Sequence, residues 1–185
     1  AALEGRVLAV VGFGNIGRQI AKRARAFDMQ VLGVSRSGRP DPLADEMHAA
    51  SALRDVLARA EAIAIAAPQT TETHHLIGAA EFAVCRRDAI LVNVSRGGLV
   101  DPAALRDALV EGRVAGAGID VTEPEPLPGD HPLWDCPNLI ITPHIAGGGS
   151  KRSRGRIVNV VSDNFALFRS EEHTSELQSL AYLVC

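Results

Sequence analysis

A glycine run placed directly after an apolar stretch constrains this chain more than any other feature. Arg6 to Val11 (RVLAVV) has the length and composition of a buried strand, and Gly12-Phe13-Gly14-Asn15-Ile16-Gly17 follows it at once. Only a chain that must turn sharply and then start a helix close against that strand needs glycines at this spacing. A helix is accordingly predicted from Ile16 to Phe27, with Ile16, Ile20, Ala24 and Phe27 on its apolar stripe. Further strands are predicted at Val31 to Val34, Ala62 to Ala66 (closed by Pro68), Ile90 to Val94, Val114 to Val121 and Leu139 to Thr142. Ser51 is read as the cap of a helix from Ala52 to Arg59. Pro102, after Asp101, opens a helix that ends near Gly112.

Strands with apolar residues on both faces, alternating with helices, imply a parallel sheet covered on both sides. The fold class is therefore α/β, a Rossmann-type doubly wound parallel sheet. Ligands of such sheets lie beyond the carboxyl ends of the strands. Six segments fall there: 12–17, 35–37, 67–69, 95–98, 120–125 and 142–148.

In that setting the glycine run reads as a dinucleotide site. Gly12 permits the tight turn, Gly14 lets a pyrophosphate approach the backbone, and Gly17 lets helix and strand pack closely. The N–H groups of Asn15 and Ile16, at a helix N-terminus, face the phosphates. At the end of the second strand stand Ser35, Arg36 and Ser37, where an NAD enzyme usually carries an acidic residue. Asp41 and Asp45 lie too far along the chain to serve. A guanidinium flanked by hydroxyls suits a 2′-phosphate, so NADP is expected over NAD, with NAD possible.

The 185 residues are 46% hydrophobic and 22% charged, a globular composition. Apolar stretches are too short or interrupted to span a bilayer, and no secretory signal is visible. A formal charge of −3 gives no reason to expect nucleic acid. Cys85, Cys136 and Cys185 match no metal spacing and are expected to be reduced thiols of a cytoplasmic protein.

From Gly12 through Phe168 the chain resembles the D-isomer-specific 2-hydroxyacid dehydrogenases, which include glyoxylate/hydroxypyruvate reductases and phosphoglycerate dehydrogenases. The resemblance rests on GFGNIG, on VNVSRGGLVD (Val92 to Asp101), on DVTEPEPL (Asp120 to Leu127) and on TPHIAG (Thr142 to Gly147). It implies that Arg96 binds the substrate carboxylate and helps polarise the keto oxygen. Guanidinium suits this role because it holds a carboxylate through two parallel hydrogen bonds. It implies that His144 is the general acid–base; an imidazole with an ordinary pKa of ~6.5 can both give and take a proton. Glu125 then orients that imidazole and favours its protonated form. Glu123 competes for this part, but the family's acid stands five residues beyond the strand-terminal Asp120. Asp120 itself matches a position near the nicotinamide carboxamide, and Pro68 one on the adenine side. Ala67, Val94, Ser95, Arg96, His144, Ala146 and Gly147 complete the expected cofactor contacts. His48, His74, His75 and His131 match no catalytic position and are read as surface or loop residues.

The expected activity is hydride transfer between nicotinamide and a small 2-keto or 2-hydroxy acid. Glyoxylate or hydroxypyruvate is favoured by Ser35-Arg36-Ser37 and by His131-Pro132-Leu133-Trp134, which resemble that branch. Formate dehydrogenase shares the Arg–His pair but typically partners its histidine with glutamine, so Glu125 argues against it. Some relatives are dinucleotide-sensing corepressors with the same trio, which leaves a non-enzymatic alternative. The family's substrate domain, built from segments on either side of the nucleotide domain, has no counterpart here, so a fragment of weak or no activity is expected. Relatives are usually homodimers. A last helix is predicted over Ile157 to Phe168, with Val160, Val161, Phe165 and Phe168 on its stripe. Ser170 to Cys185 breaks all earlier periodicity and resembles translated sequencing-adapter read-through. The dinucleotide-binding domain is thus expected to be residues 1–169, with residues 170–185 a non-native tail and the natural chain truncated.

Overall fold

The structure, a computed structural model, describes residues 2–147, 155 and 158–165. The chain divides into two compact units, Ala1–His144 and Ile145–Cys185. The first holds a seven-stranded, wholly parallel sheet: β1 (Val7–Val11), β2 (Gln30–Ser35), β3 (Glu46–Ala49), β4 (Ala62–Ile65), β5 (Ile90–Asn93), β6 (Gly116–Ile119) and β7 (Leu139–Ile141). Their spatial order is β3-β2-β1-β4-β5-β6-β7. The chain therefore builds outward from β1 in one direction and, after β3, outward from β4 in the other. In sheets of this kind ligands bind at the point where the strand order reverses, which here falls between β1 and β4.

Alternation along the strands sorts the core into two layers. Ala9, Val11, Leu32, Val34, Ile63, Ile65 and Leu91 face one side, where they meet Leu53, Val56 and Leu57 of α2 (Leu53–Leu57), Phe82 of α3 (Ala79–Val84) and Leu105 of α4 (Pro102–Val110). Leu8, Val10, Val31 and Ala64 face the other, against Ala21 and Ala24 of α1 (Asn15–Arg25). Each fully buried leucine or isoleucine contributes about 1.5–3 kcal/mol through the surface it removes from water.

The expected helices and strands largely form, with instructive differences. Helix α1 buries Gly17, Ala21 and Ala24, with Ile20 at the border. Ile16 and Phe27 are 45% and 58% exposed, so the predicted stripe is rotated towards the smaller residues. Close approach to the sheet selects glycine and alanine there, which outweighs side-chain bulk. Ser51 caps nothing; it lies inside a single 3₁₀ turn, Ala50–Ala52, and α2 starts after it. Asp101 does cap α4, accepting from the N–H groups of Ala103 and Ala104 at 2.9 and 3.2 Å, with Pro102 in the first turn. The edge strand β3 and helix α3 carry too few periodic apolar residues to be read from sequence, and β3 places His48 on a strand.

Coverage of the sheet is also less complete than its composition implies. Ile90, Val92 and Ile140 are 51%, 40% and 69% exposed. In the second unit residues 158–165 are helical, with Val160 half-buried and Val161 and Phe165 exposed. Ile157, Phe168 and the predicted tail, 170–185, lie outside the described residues.

Candidate active site

Backbone packing explains two of the three motif glycines. Gly12 has a φ of +95°, and a Cβ there would stand 2.3 Å from the Ala67 nitrogen on the β4 loop. A Cβ on Gly17 would lie 2.1 Å from the Gly12 oxygen, so α1 rests directly on the β1 turn. Gly14 is different. Nothing lies within 4 Å of its hypothetical Cβ, so the protein's own packing does not require glycine there. Gly14 is the N-cap of α1, no side chain caps that helix, and its first turn carries no acidic residue. Lys22, Arg23 and Arg25 fill the last turn. The exposed N-terminus of α1, at Asn15 and Ile16, thus keeps the positive end of its dipole available to an anion.

At the end of β2, Ser35 is half-buried and its Oγ accepts from the Gly38 N–H at 3.1 Å, which closes the turn. Arg36 and Ser37 are exposed just beyond it. Asp41 pairs with Arg18, and Asp45 accepts from the Val31 N–H at 2.7 Å, so both nearby acids are already engaged. On the β4 loop, Ala67 is buried and its carbonyl accepts from the Ser95 hydroxyl. Pro68 is exposed, and its carbonyl accepts from Thr73 at 2.8 Å.

The loop after β5 is held by a residue to which the sequence had assigned no role. Asn93 is 1% exposed; its Nδ2 donates to the Arg96 carbonyl at 2.9 Å and its Oδ1 accepts from the Ser95 N–H at 3.1 Å. Such a fully paired buried amide fixes a loop because leaving either group unpaired costs about 1–3 kcal/mol. Val94 and Ser95 are half-buried, whereas the Arg96 side chain is exposed and donates to the Ser95 carbonyl at 2.8 Å. Gly97 brings this loop against the next, since a Cβ would stand 1.9 Å from the Thr122 oxygen.

Beyond β6 and β7 the remaining acids and the histidine meet. Buried Asp120 accepts from the Thr142 hydroxyl at 2.5 Å, and its backbone oxygen accepts from the His144 N–H at 2.9 Å. His144 has a φ of +53°, and its Nδ1 lies 2.5 Å from Glu125 Oε1. Glu125 partners His144, while Glu123 reaches His74 and His75. A cleft of about 430 Å³ is lined by Asp120, Thr122, Glu125, Trp134, Thr142 and His144. Ala146 and Gly147 follow in the second unit.

A doubly wound parallel sheet, a glycine turn at its reversal point and a carboxylate–imidazole pair on the same edge define a dinucleotide-binding α/β domain. Residues 1–146 match the D-isomer specific 2-hydroxyacid dehydrogenase NAD binding domain, and the chain belongs to that family. Glyoxylate reductase of Korarchaeum cryptofilum is 39% identical over 168 residues, covering 91% of this chain and 50% of that protein. A D-isomer specific 2-hydroxyacid dehydrogenase family protein of Aeromonas salmonicida superposes with a TM-score of 0.86 at 41% identity, over 95% of this chain and 56% of that one. A D-isomer specific 2-hydroxyacid dehydrogenase of Xanthobacter autotrophicus, solved with NADPH and MES, gives 0.83 at 33% identity, over 92% and 69%. The chain spans about half the length of the curated relatives it matches. Among the described residues, no helix is long and apolar enough to cross a membrane.

Proposed function

We propose that residues 1–169 are the nucleotide-binding part of a 2-hydroxyacid dehydrogenase that prefers NADP and reduces glyoxylate or hydroxypyruvate, with residues 170–185 a non-native tail. The observation that carries this reading is the 2.5 Å contact between His144 Nδ1 and Glu125 Oε1 at the carboxyl edge of the sheet. With Nδ1 held by the carboxylate, Nε2 is the nitrogen that faces substrate. That tautomer, set by the partner on the opposite nitrogen, is what a proton donor to a carbonyl oxygen requires.

A nicotinamide cofactor held at the glycine turn would supply the hydride. Arg96 grips the substrate carboxylate through paired N–H groups and places the neighbouring carbonyl against His144. As the carbonyl carbon gains hydride and its π bond opens onto oxygen, His144 Nε2 delivers the proton that makes the hydroxyl. Glu125 stabilises the imidazolium before transfer and keeps the ring from rotating afterwards. In the reverse direction His144 accepts the hydroxyl proton.

The dinucleotide contacts belong to Gly12, Gly14, Asn15, Ile16 and Gly17 at the phosphates and to Ser35, Arg36 and Ser37 at the ribose. Ala67, Pro68, Val94, Ser95, Asp120, Ala146 and Gly147 line the rest. Preference for NADP rests on Arg36, exposed at the end of β2, where Asp41 and Asp45 are already engaged elsewhere. The NADPH bound by the Xanthobacter relative supports the same reading. The complete enzyme is a cytoplasmic homodimer, a setting that fits the free thiols of Cys85 and Cys136.

The deciding experiment measures NADPH and NADH binding, then glyoxylate-dependent cofactor oxidation by the complete enzyme. Tighter NADPH binding, lost in Arg36→Ala, is expected. Equal affinities would make Arg36 a bystander. Cofactor binding without turnover of any 2-keto acid would overturn the enzymatic reading in favour of a sensing role.

A further inference from the structure

His74, His75 and Glu123 form a group that the proposed chemistry does not use. The residues come from two segments far apart in sequence, the turn before α3 and the loop after β6. His74 Nε2 lies 3.1 Å from Glu123 Oε1, and His75 Nε2 lies 2.7 Å from Glu123 Oε2. One ligand atom from each residue can be chosen so that all three fall within 4.8 Å of one another. We propose that this group is a binding site for a first-row divalent transition ion, with zinc the natural probe.

Adjacent residues on an extended chain point their side chains in opposite directions. Here His75 adopts a left-handed φ of +52°, and the two imidazoles stack with centroids 3.9 Å apart and planes 22° from parallel. Both rings therefore present Nε2 to the same carboxylate. Their backbone is pinned as well: the N–H of His74 donates to Thr70 at 3.0 Å and that of His75 to Gly98 at 2.7 Å. Tetrahedral zinc bound at about 2.0–2.1 Å places neighbouring ligand atoms roughly 3.3 Å apart. The three ligand atoms lie within 4.8 Å of one another, so an ion is reached by drawing them together and turning the stacked rings until both Nε2 lone pairs converge on it.

When Nε2 binds a metal, the proton resides on Nδ1, and an acceptor there orients the ring. Asp101 Oδ2, anchored at the head of α4, stands 3.9 Å from His75 Nδ1, an ion-pair rather than a hydrogen-bond distance. Two imidazoles select against magnesium and calcium, which take oxygen ligands. Side-chain exposures of 46%, 36% and 35% leave a fourth position open to water. An ion here would clamp the loop two residues before Glu125.

The test is titration of the 185-residue chain with ZnCl₂ near neutral pH, followed by calorimetry and by the imidazole nitrogen resonances of each histidine. One ion should bind, shifting His74 and His75 while leaving His131 unmoved. His74→Ala and Glu123→Gln should each weaken binding by about 10- to 100-fold, and His131→Ala should leave it unchanged. Glu123→Gln keeps hydrogen-bonding partners for both rings, so the loop stays folded and loss of zinc reports the site itself. Absence of binding at millimolar ZnCl₂ would overturn the proposal. So would binding that survives in the His74→Ala/Glu123→Gln double variant, or resonance shifts confined to His131 or His144.

Discussion

The glycine turn and the His144 corner lie on the same sheet edge yet are built by opposite means. The turn is a backbone device. Within six consecutive residues, Gly12 and Gly17 create contacts by lacking a side chain, and a Cβ at either would overlap neighbouring backbone. The corner is a side-chain device. It gathers Asp120, Glu125, Thr142 and His144 from the loops after β6 and β7, paired as Asp120 with Thr142 and Glu125 with His144. Damage to the first should therefore appear in folding and phosphate affinity, and damage to the second in proton transfer.

His144→Ala in the complete enzyme should produce the largest effect, a fall in glyoxylate turnover of about 10²–10⁴-fold with NADPH affinity retained. A comparable fall in cofactor affinity would show that the two regions are not separable. Gly17→Ala pushes α1 off the β1 turn and should cost about 1–3 kcal/mol in denaturant unfolding; an unchanged midpoint would mean that the helix shifts freely. Asn93→Ala unpairs the Ser95 N–H and the Arg96 carbonyl. About 1–3 kcal/mol should be lost there too, with KM for the keto acid rising more than kcat falls as Arg96 loosens.

Gly14→Ala sharpens the contrast within the turn itself. With no neighbour inside 4 Å, stability should stay within about 0.5 kcal/mol. If the proposed phosphate site is right, NADPH binding should nevertheless weaken, because the added methyl would occupy the open space beside the α1 N-terminus; unchanged affinity would remove Gly14 from the cofactor site. The smallest effect lies away from both regions, on the edge strand. Chiefly through its hydrogen bond with Arg59, Glu46 has its pKa lowered from 4.5 to about 2. The pair's contribution is present above the ordinary carboxylate pKa and is lost as pH falls from there through the folded-state value. Both side chains are exposed, so solvent screens the effect and only a shallow change in acid unfolding is expected. Glu46→Gln should flatten it.

Much of this was legible in the sequence because it is local. The GxGxxG run, the Asp101-Pro102 helix start and the apolar strands each declare themselves within a few residues, through sterics, capping and burial. Elements whose identity depends on neighbours were not legible. Strand β3 is half-polar and exists because β2 offers it an edge. The buried stripe of α1 runs through Gly17, Ala21 and Ala24, because the depth of packing against β1 decides which residues turn inward. Asn93 resembles any polar strand-end residue until the chain folds back and places the Ser95 and Arg96 backbone around it.

The sequence by itself determined the parallel α/β architecture and the glycine turn, because propensity, periodicity and glycine sterics act over short separations, while Arg96, Glu125 and His144 were nominated by the resemblance of their motifs. Only the tertiary structure decided which glutamate meets which histidine. Glu123 and Glu125 are two residues apart and chemically identical. What separates them is that the turn before α3 brings His74 and His75 to one, while the loop after β7 brings His144 to the other.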